Sequence, residues 1–439
     1  MTRAGPAPEP DIAGRLRAGL AALAGIGRDP TTGGYRRYGW TAAELACREW
    51  FRAEAAVRGL DCRSDGNGNL WALWGSSWAA LPDGGGDVVA TGSHLDSVPD
   101  GGAYDGPLGV LSAFLAVDLL RARGMTPTRP IAVVAFVDEE GTRFGVSCLG
   151  SRLLCGAIEP DRALALTDAA GVSLAEAMRA AGADPATAGL DRALLDRIGA
   201  FVELHIEQGR GLAALGGPVG LATGIWPHGR WRCRFTGQAN HAGTTPLADR
   251  CDPMLTFANT VLSARKKARL AGALATFGRV SVTPNGTNAV PSSVDGWLDA
   301  RAADEQTLHE LVAEVGRAAA ERGGRDGVTV AVTAESVSAA VTFDARLRTR
   351  LAGVLADLPG GAPGGVPELS TGAGHDAGIL AALVPSAMLF VRNPTGVSHS
   401  PAEHAEDADC VAGVHALAAV LADLAGLVDP AGAVHKAGR

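Results

Sequence analysis

The stretch Thr91–Val110, TGSHLDSVPDGGAYDGPLGV, places one histidine, three aspartates and five glycines directly after an apolar run. Carboxylates this crowded repel one another and need a cation, a hydrogen-bond network or open water. The preceding DVVATGSH reads as a short buried strand ending near Ser93. GPLGVLSAFLAVDLLRARG then reads as a helix, with Gly124 as its stop. PIAVVAFVDEE is a second apolar strand, ending in acids. A strand–helix–strand unit makes the two strands parallel, and open α/β sheets bind ligands at the carboxyl ends of their strands. His94, Asp96 and Asp105 follow one strand end, and Glu139 and Glu140 follow the other. The topology therefore predicts that all five share one edge.

Two later segments fit the same edge. In AFVELHIEQG, Glu203, His205 and Glu207 alternate with Val202, Leu204 and Ile206, which puts the polar groups on one strand face. In SAMLFVRNPTGVSHS an apolar strand is followed by a loop carrying His399. Helices over about 345–358 and 407–427 complete this α/β unit. The region between differs. RWRCRF alternates, FGRVSVTP and GVTVAVT are strand-like, and DEQTLHELVAEVGRAAAERG puts Leu308, Leu311, Val312 and Val315 on one helical face. The predicted fold class is α/β: a catalytic domain with a mixed, largely parallel sheet over 1–217 and 334–439, and an inserted α+β domain over 218–333.

Composition bounds the function. A chain of 439 residues suits two domains. The net charge of −8 leaves no basic surface for nucleic acid. Seven cysteines without a CxxC pair predict reduced thiols rather than a disulfide framework. The start, MTRAGPAPEPD, lacks the apolar segment of a secretory leader. The longest apolar run, Leu108–Leu120, is broken by Asp118 and is too short for a bilayer. These features predict a cytoplasmic protein with no membrane partner. LPGGAPGGVP (358–367) reads as a mobile loop.

Taken singly, a strand-end histidine is an ordinary hydrogen-bonded residue, DEE is a helix N-terminal charge cluster, and PDGGAYDG is a turn. Their convergence on one sheet edge favours a metal site. Mixed imidazole and carboxylate ligands suit zinc, manganese, cobalt or nickel rather than calcium. Two divalent ions need a bridging carboxylate and a bridging water. Asp105, Glu140, Glu139 as base and a bridging hydroxide would balance their charge. Asp96, two residues after His94, can then orient that imidazole.

The motifs GSHLDSVPDGGAYDGPLGV, DEEGTRFG, ELHIEQG, NHAGTTPLADR, TGAGHDA and GVSHSPAE, in this order, resemble those of the M20-type metallohydrolases. More narrowly they resemble the branch with allantoate amidohydrolase, N-carbamoyl-L-amino-acid hydrolase and β-ureidopropionase, over about 11–427. The resemblance implies a two-metal catalytic domain and an inserted lid that also makes a homodimer. It implies hydrolysis of a linear amide or ureido group. By motif, His94 and His205 would hold one metal, Glu140 and His399 the other, with Asp105 bridging and Glu139 as general base. His241 would stabilise the oxyanion, often in the partner subunit's site. Asn288 and Arg301 would hold the substrate carboxylate, while Gln208 and the loop carrying Gly374 and His375 line the pocket. Leu247 stands where methionine is expected, a volume-conserving change. GIWPHGRW is unusual at lid entry, so Trp226, Pro227 and His228 would reshape the pocket. Arg230 falls where allantoate-type members carry an arginine, although the cationic side chains alternating along this strand read equally as surface.

The leading expectation is therefore an amidohydrolase acting on allantoate, releasing ammonia and carbon dioxide. N-carbamoyl-L-amino-acid hydrolase or β-ureidopropionase comes next, then an aminoacylase or dipeptidase. A non-catalytic binding protein on this fold is opposed by Glu139, which a purely metal-binding scaffold does not need.

Overall fold

The computed structural model describes residues 10–427 apart from 357 and 359–364. The Gly/Pro-rich loop expected at 358–367 lies largely outside these residues, as do residues 1–9. The chain divides into two compact units: residues up to 223 with those from 342 onward, and residues 224–341. The inserted unit starts and ends later than 218 and 333 for a reason visible in the pairing. Val219–Ile225 pairs antiparallel with Ser386–Val391 of the large sheet, and Thr329–Ser338 runs on past 333 beside His228–Thr236.

In the first unit the strand order is Asp61–Ser64, Leu70–Trp74, Ile131–Phe136, Val88–His94, Ile198–Ile206, Ser386–Val391, Val219–Ile225 and Val341–Thr342, with Glu368–Thr371 also on Val219–Ile225. The four from Ile131–Phe136 to Ser386–Val391 are parallel. Antiparallel strands flank them on both sides. The sheet is thus mixed, with a parallel centre buried on both faces, as near-continuous apolar sequences require. The hairpin Asp61–Trp74 and the short helices between 149 and 195 were not anticipated. Each is too short to show a clear hydrophobic period.

The register fixes the functional edge. His94 lies opposite Phe136, three residues before Glu139, and His205 lies opposite Phe390. The helix predicted after the first strand spans Pro107–Ala122, with proline at its first position and Gly124 at φ +73° just past its end. It is buried nearly all round, with Leu108, Leu111, Phe114, Leu115 and Leu119 in the core. Gly106 opens it at φ +84°, and a Cβ there would lie 2.5 Å from the His94 ring. Only glycine lets the chain turn from Asp105 into this helix so close to the imidazole.

The inserted unit is an antiparallel sheet ordered Thr329–Ser338, His228–Thr236, Ser293–Arg301, Leu274–Thr283. Trp231, Cys233 and Phe235 alternate inward and share a core with Phe257, Leu308, Leu311 and Val315 from the helices Pro253–Ala271 and Glu305–Asp326. Each fully buried side chain of this size contributes roughly 1.5–3 kcal/mol. His228, Arg230, Arg232 and Arg234 alternate outward. All seven cysteines are unpaired. Among the described residues no helix is long and apolar enough to cross a membrane.

Candidate metal centre and active site

Asp105 stands at the middle of the edge. Its Oδ1 lies 3.4 Å from His94 Nε2 and 3.2 Å from His205 Nε2. Its Oδ2 lies 3.3 Å from His399 Nε2, which is 3.6 Å from Glu140 Oε2. One carboxylate therefore faces two separate donor groups, His94 with His205 and Glu140 with His399. This is the division that a bridging ligand makes. Glu139 Oε2 lies 3.8 Å from His94 Nε2. His399 sits in the left-handed region at φ +52° and is half exposed, while the other ligand candidates are buried or nearly so.

The hydrogen bonds show that these donors fit divalent cations. His205 Nδ1 is 2.8 Å from the Ile206 carbonyl, and His94 Nδ1 is 3.2 Å from the Asp96 carbonyl. A carbonyl cannot donate, so each Nδ1 carries a proton, and Nε2 is the ring nitrogen that faces Asp105. Lone pairs facing a carboxylate at this range need a proton or a cation between them. His205 Nε2 is fully buried and makes no hydrogen bond among the described residues.

The titration of the site reflects the same crowding. Burial, and then the neighbouring Asp105 charge, push Glu140 up to about 7. Burial raises Glu139 well above the usual carboxylate range. Burial opposes ionisation of His399, yet Asp105 and Glu140 push it up to about 9. Burial also opposes the Asp105 carboxylate, but its contacts with His205, His399 and His94 hold it well below the usual range.

Asp96 does more than its spacing implied. Its Oδ1 is 3.5 Å from His94 Nδ1 and accepts the Glu139 backbone N–H, while Oδ2 accepts that of Glu140. One side chain thus ties two strand ends together. Gln208 Nε2 donates to Asp105 Oδ2 at 2.7 Å and lies 3.1 Å from His399 Nε2, so its amide sits among the candidate ligands. His375 is buried behind the site, its ring centroid 4.5 Å from that of His205, and Gly374 precedes it half-buried. Glu207 caps the helix Gly211–Leu215 through its Gly211 and Leu212 N–H groups.

Three carboxylates support the site through partners that the sequence reading did not identify. Glu403 accepts the backbone N–H groups of Tyr104 and Asp105 and the Ser398 hydroxyl, joining the Asp105 and His399 loops. Glu203 accepts from Ser93 Oγ and the Ala377 N–H. Asp376 accepts from Ser151 Oγ. The GVSHSPAE motif contained Glu403, and strand alternation contained Glu203, but neither signal revealed its partner.

The remaining predicted residues belong to the inserted unit. A two-stranded ribbon pairs His241 with Ala289, and the Ala242 N–H donates to the Asn288 carbonyl, so His241 and Asn288 are neighbours. His241 Nδ1 accepts from the Gly243 and Thr244 N–H groups, which leaves Nε2–H as the ring's donor in an exposed position. Arg301 donates through Nε and Nη2 to both oxygens of Asp299. Arg230 Nε is 3.7 Å from Asp299. Arg232 and Arg234 both pair with Asp295. Arg301 pairs with His228 at one end of its strand, and Ser293 with Thr236 at the other, next to the ribbon. Nine extended residues span roughly 27 Å. Asn288 and Arg301 of one chain therefore lie toward opposite ends of the strand Ser293–Arg301.

The sequence model of peptidase family M20/M25/M40 matches residues 90–423. An N-carbamoyl-L-amino acid amidohydrolase of Geobacillus stearothermophilus is 38% identical over 92% of this chain and 96% of its own length. An allantoate amidohydrolase of Escherichia coli is 34% identical, again over 92% and 96%. A solved amidase of the hydantoinase/carbamoylase family from Burkholderia vietnamiensis superposes with a TM-score of 0.85 at 29% identity, over 96% of this chain and 99% of its own.

Proposed function

Because this chain belongs to peptidase family M20/M25/M40, we propose that it is a metal-dependent amidohydrolase cleaving a linear ureido C–N bond next to a carboxylate. Allantoate is the first substrate, with release of ammonia and carbon dioxide. The observation that carries this reading is Asp105, one oxygen toward His94 and His205 and the other toward His399, with Glu139 alongside. Arg230, at the position where allantoate-type members carry an arginine, favours allantoate. The similarity to the Geobacillus protein favours N-carbamoyl-L-amino acids as the second reading. Ammonia release from allantoate, N-carbamoyl amino acids and N-acetyl amino acids, measured on Zn- and Mn-loaded protein, separates them. Turnover of the N-acetyl compounds alone would replace the ureido reading with an aminoacylase.

His94, His205, Asp105, Glu140 and His399 would hold the divalent cations, which when bound would supply Lewis-acid activation of a water and of the scissile carbonyl. Glu139 takes the water's proton and passes it to the leaving nitrogen. His241, with Nε2–H presented outward, donates to the developing oxyanion, a contact worth about 3–4 kcal/mol. Arg301 holds the carboxylate and so aligns the ureido carbon. We assign two ions per chain, zinc or manganese, with cobalt or nickel as substitutes. Metal analysis of chelated and reconstituted protein is expected to saturate at two equivalents as activity returns. Full activity at one equivalent rejects the bridge.

The ~27 Å between the His241–Asn288 ribbon and Arg301 supports a homodimer in which each site takes them from different chains. Mixing inactive His241→Ala with inactive Glu139→Gln subunits is then expected to restore about a quarter of wild-type activity, because half the dimers are hybrid and each hybrid has one intact site. Verified hybrids without activity would show that each chain completes its own site.

A further inference from the structure

Cys148 touches the Glu139 carboxylate from a position that the reaction scheme does not use. Its Sγ is 3.2 Å from Glu139 Oε1, and its backbone N–H donates to the Glu139 carbonyl. The next two N–H groups, of Leu149 and Gly150, donate to the carbonyls of Asp138 and Val137. The start of the helix Leu149–Leu154 is thereby stitched to the end of the strand segment that carries the two glutamates. Cys148 adopts φ +54°, the left-handed region that side chains disfavour. Glycine would make this turn without strain, so what the residue adds is its thiol. The thiol is only 2% exposed, and burial keeps its pKa well above the usual value, so at neutral pH it is an S–H donor.

The two oxygens of Glu139 consequently have different surroundings. Oε1 accepts from the thiol, while Oε2 faces His94 at 3.8 Å. Asp96 holds the Glu139 backbone through its N–H but leaves the side-chain torsions unfixed. We propose that Cys148 is a positioning residue that pins Oε1 of Glu139 and thereby makes Oε2 the oxygen that exchanges the proton with the reacting atoms. This rests on Glu139 acting as the base.

The test compares metal-loaded wild type, C148A, C148S and E139Q. C148A is expected to lower kcat about five- to tenfold with KM within twofold and metal content unchanged, because the base is misoriented while substrate binding is untouched. C148S, which keeps a donor at the same place, is expected to stay within about twofold of wild type. Equal losses in C148S and C148A reduce Cys148 to packing and overturn the inference. Wild-type turnover in C148A beside an inactive E139Q overturns it alone, whereas wild-type turnover in E139Q overturns the base assignment and this inference together. Infrared spectroscopy gives a readout independent of turnover, and of whether C148A folds. The S–H stretching band that disappears in C148S should have the low frequency of a hydrogen-bonded thiol and rise to that of a free thiol in E139A. A band that does not move overturns the contact.

Discussion

Glu139→Gln is expected to retain the fold and the bound metal and to lose roughly 10²–10⁴ in kcat. The amide keeps the size of the carboxylate and an acceptor oxygen but cannot take a proton. The adjacent Glu140→Gln should behave differently, because Glu140 faces His399 across the second donor group. Its loss should weaken metal binding first and activity as a consequence. Asp96 supports this contrast, since it fixes both backbones through separate oxygens and points the two neighbours into different roles. Metal content and kcat measured on both variants decide the assignment. If Glu139→Gln empties the site while Glu140→Gln keeps it filled, the roles are reversed.

The edge that carries this chemistry was legible because its signals are local. Apolar runs at Val88–His94 and Ile131–Phe136 with one helix between them dictate a parallel pair, and the pair sets His94 level with Phe136. The period of two in Glu203, His205 and Glu207 was equally readable, but their partners were not. Glu203 reaches Ser93 and Ala377, and Glu403 reaches Tyr104 and Asp105, across separations of 110 to 299 residues. No periodicity carries such information. The left-handed turn at Cys148 was hidden for another reason: sequence marks such turns by glycine or asparagine, and here a cysteine takes the strain. Where Asn288 lies relative to Arg301 was not legible, because thirteen positions of sequence say nothing about direction. An extended strand carries the two residues apart, where a turn would have brought them together.

Arg301→Ala is expected to leave metal content intact and lower kcat/KM for the acid substrate by about 10²–10³. Every leading substrate has a carboxylate beside the scissile ureido group, and the ligand cluster can grip only the ureido end. A guanidinium binds a carboxylate through two parallel hydrogen bonds, and losing one partner of such a contact typically costs ~2–5 kcal/mol. Asp299 already takes the edge formed by Nε and Nη2. It therefore holds the fork in a fixed orientation in which to receive a substrate carboxylate. Arg301→Lys should recover little, since a point charge cannot serve Asp299 and substrate in this geometry. Removal of the arginine also takes from the Asp299 carboxylate its nearest cation, which, with Arg230 farther off, holds it below its usual pKa against the effect of burial. The double variant Asp299→Asn with Arg301→Ala separates the two effects. If it stays as impaired as Arg301→Ala, the loss is that of the clamp; if it recovers wild-type kcat/KM, the loss came from the Asp299 charge. An amidated substrate should react poorly with wild type and be nearly indifferent to Arg301→Ala. Turnover of the acid substrate within about threefold of wild type would move the clamp elsewhere. Arg230, on the same sheet face and next to the same aspartate, is then the residue to change.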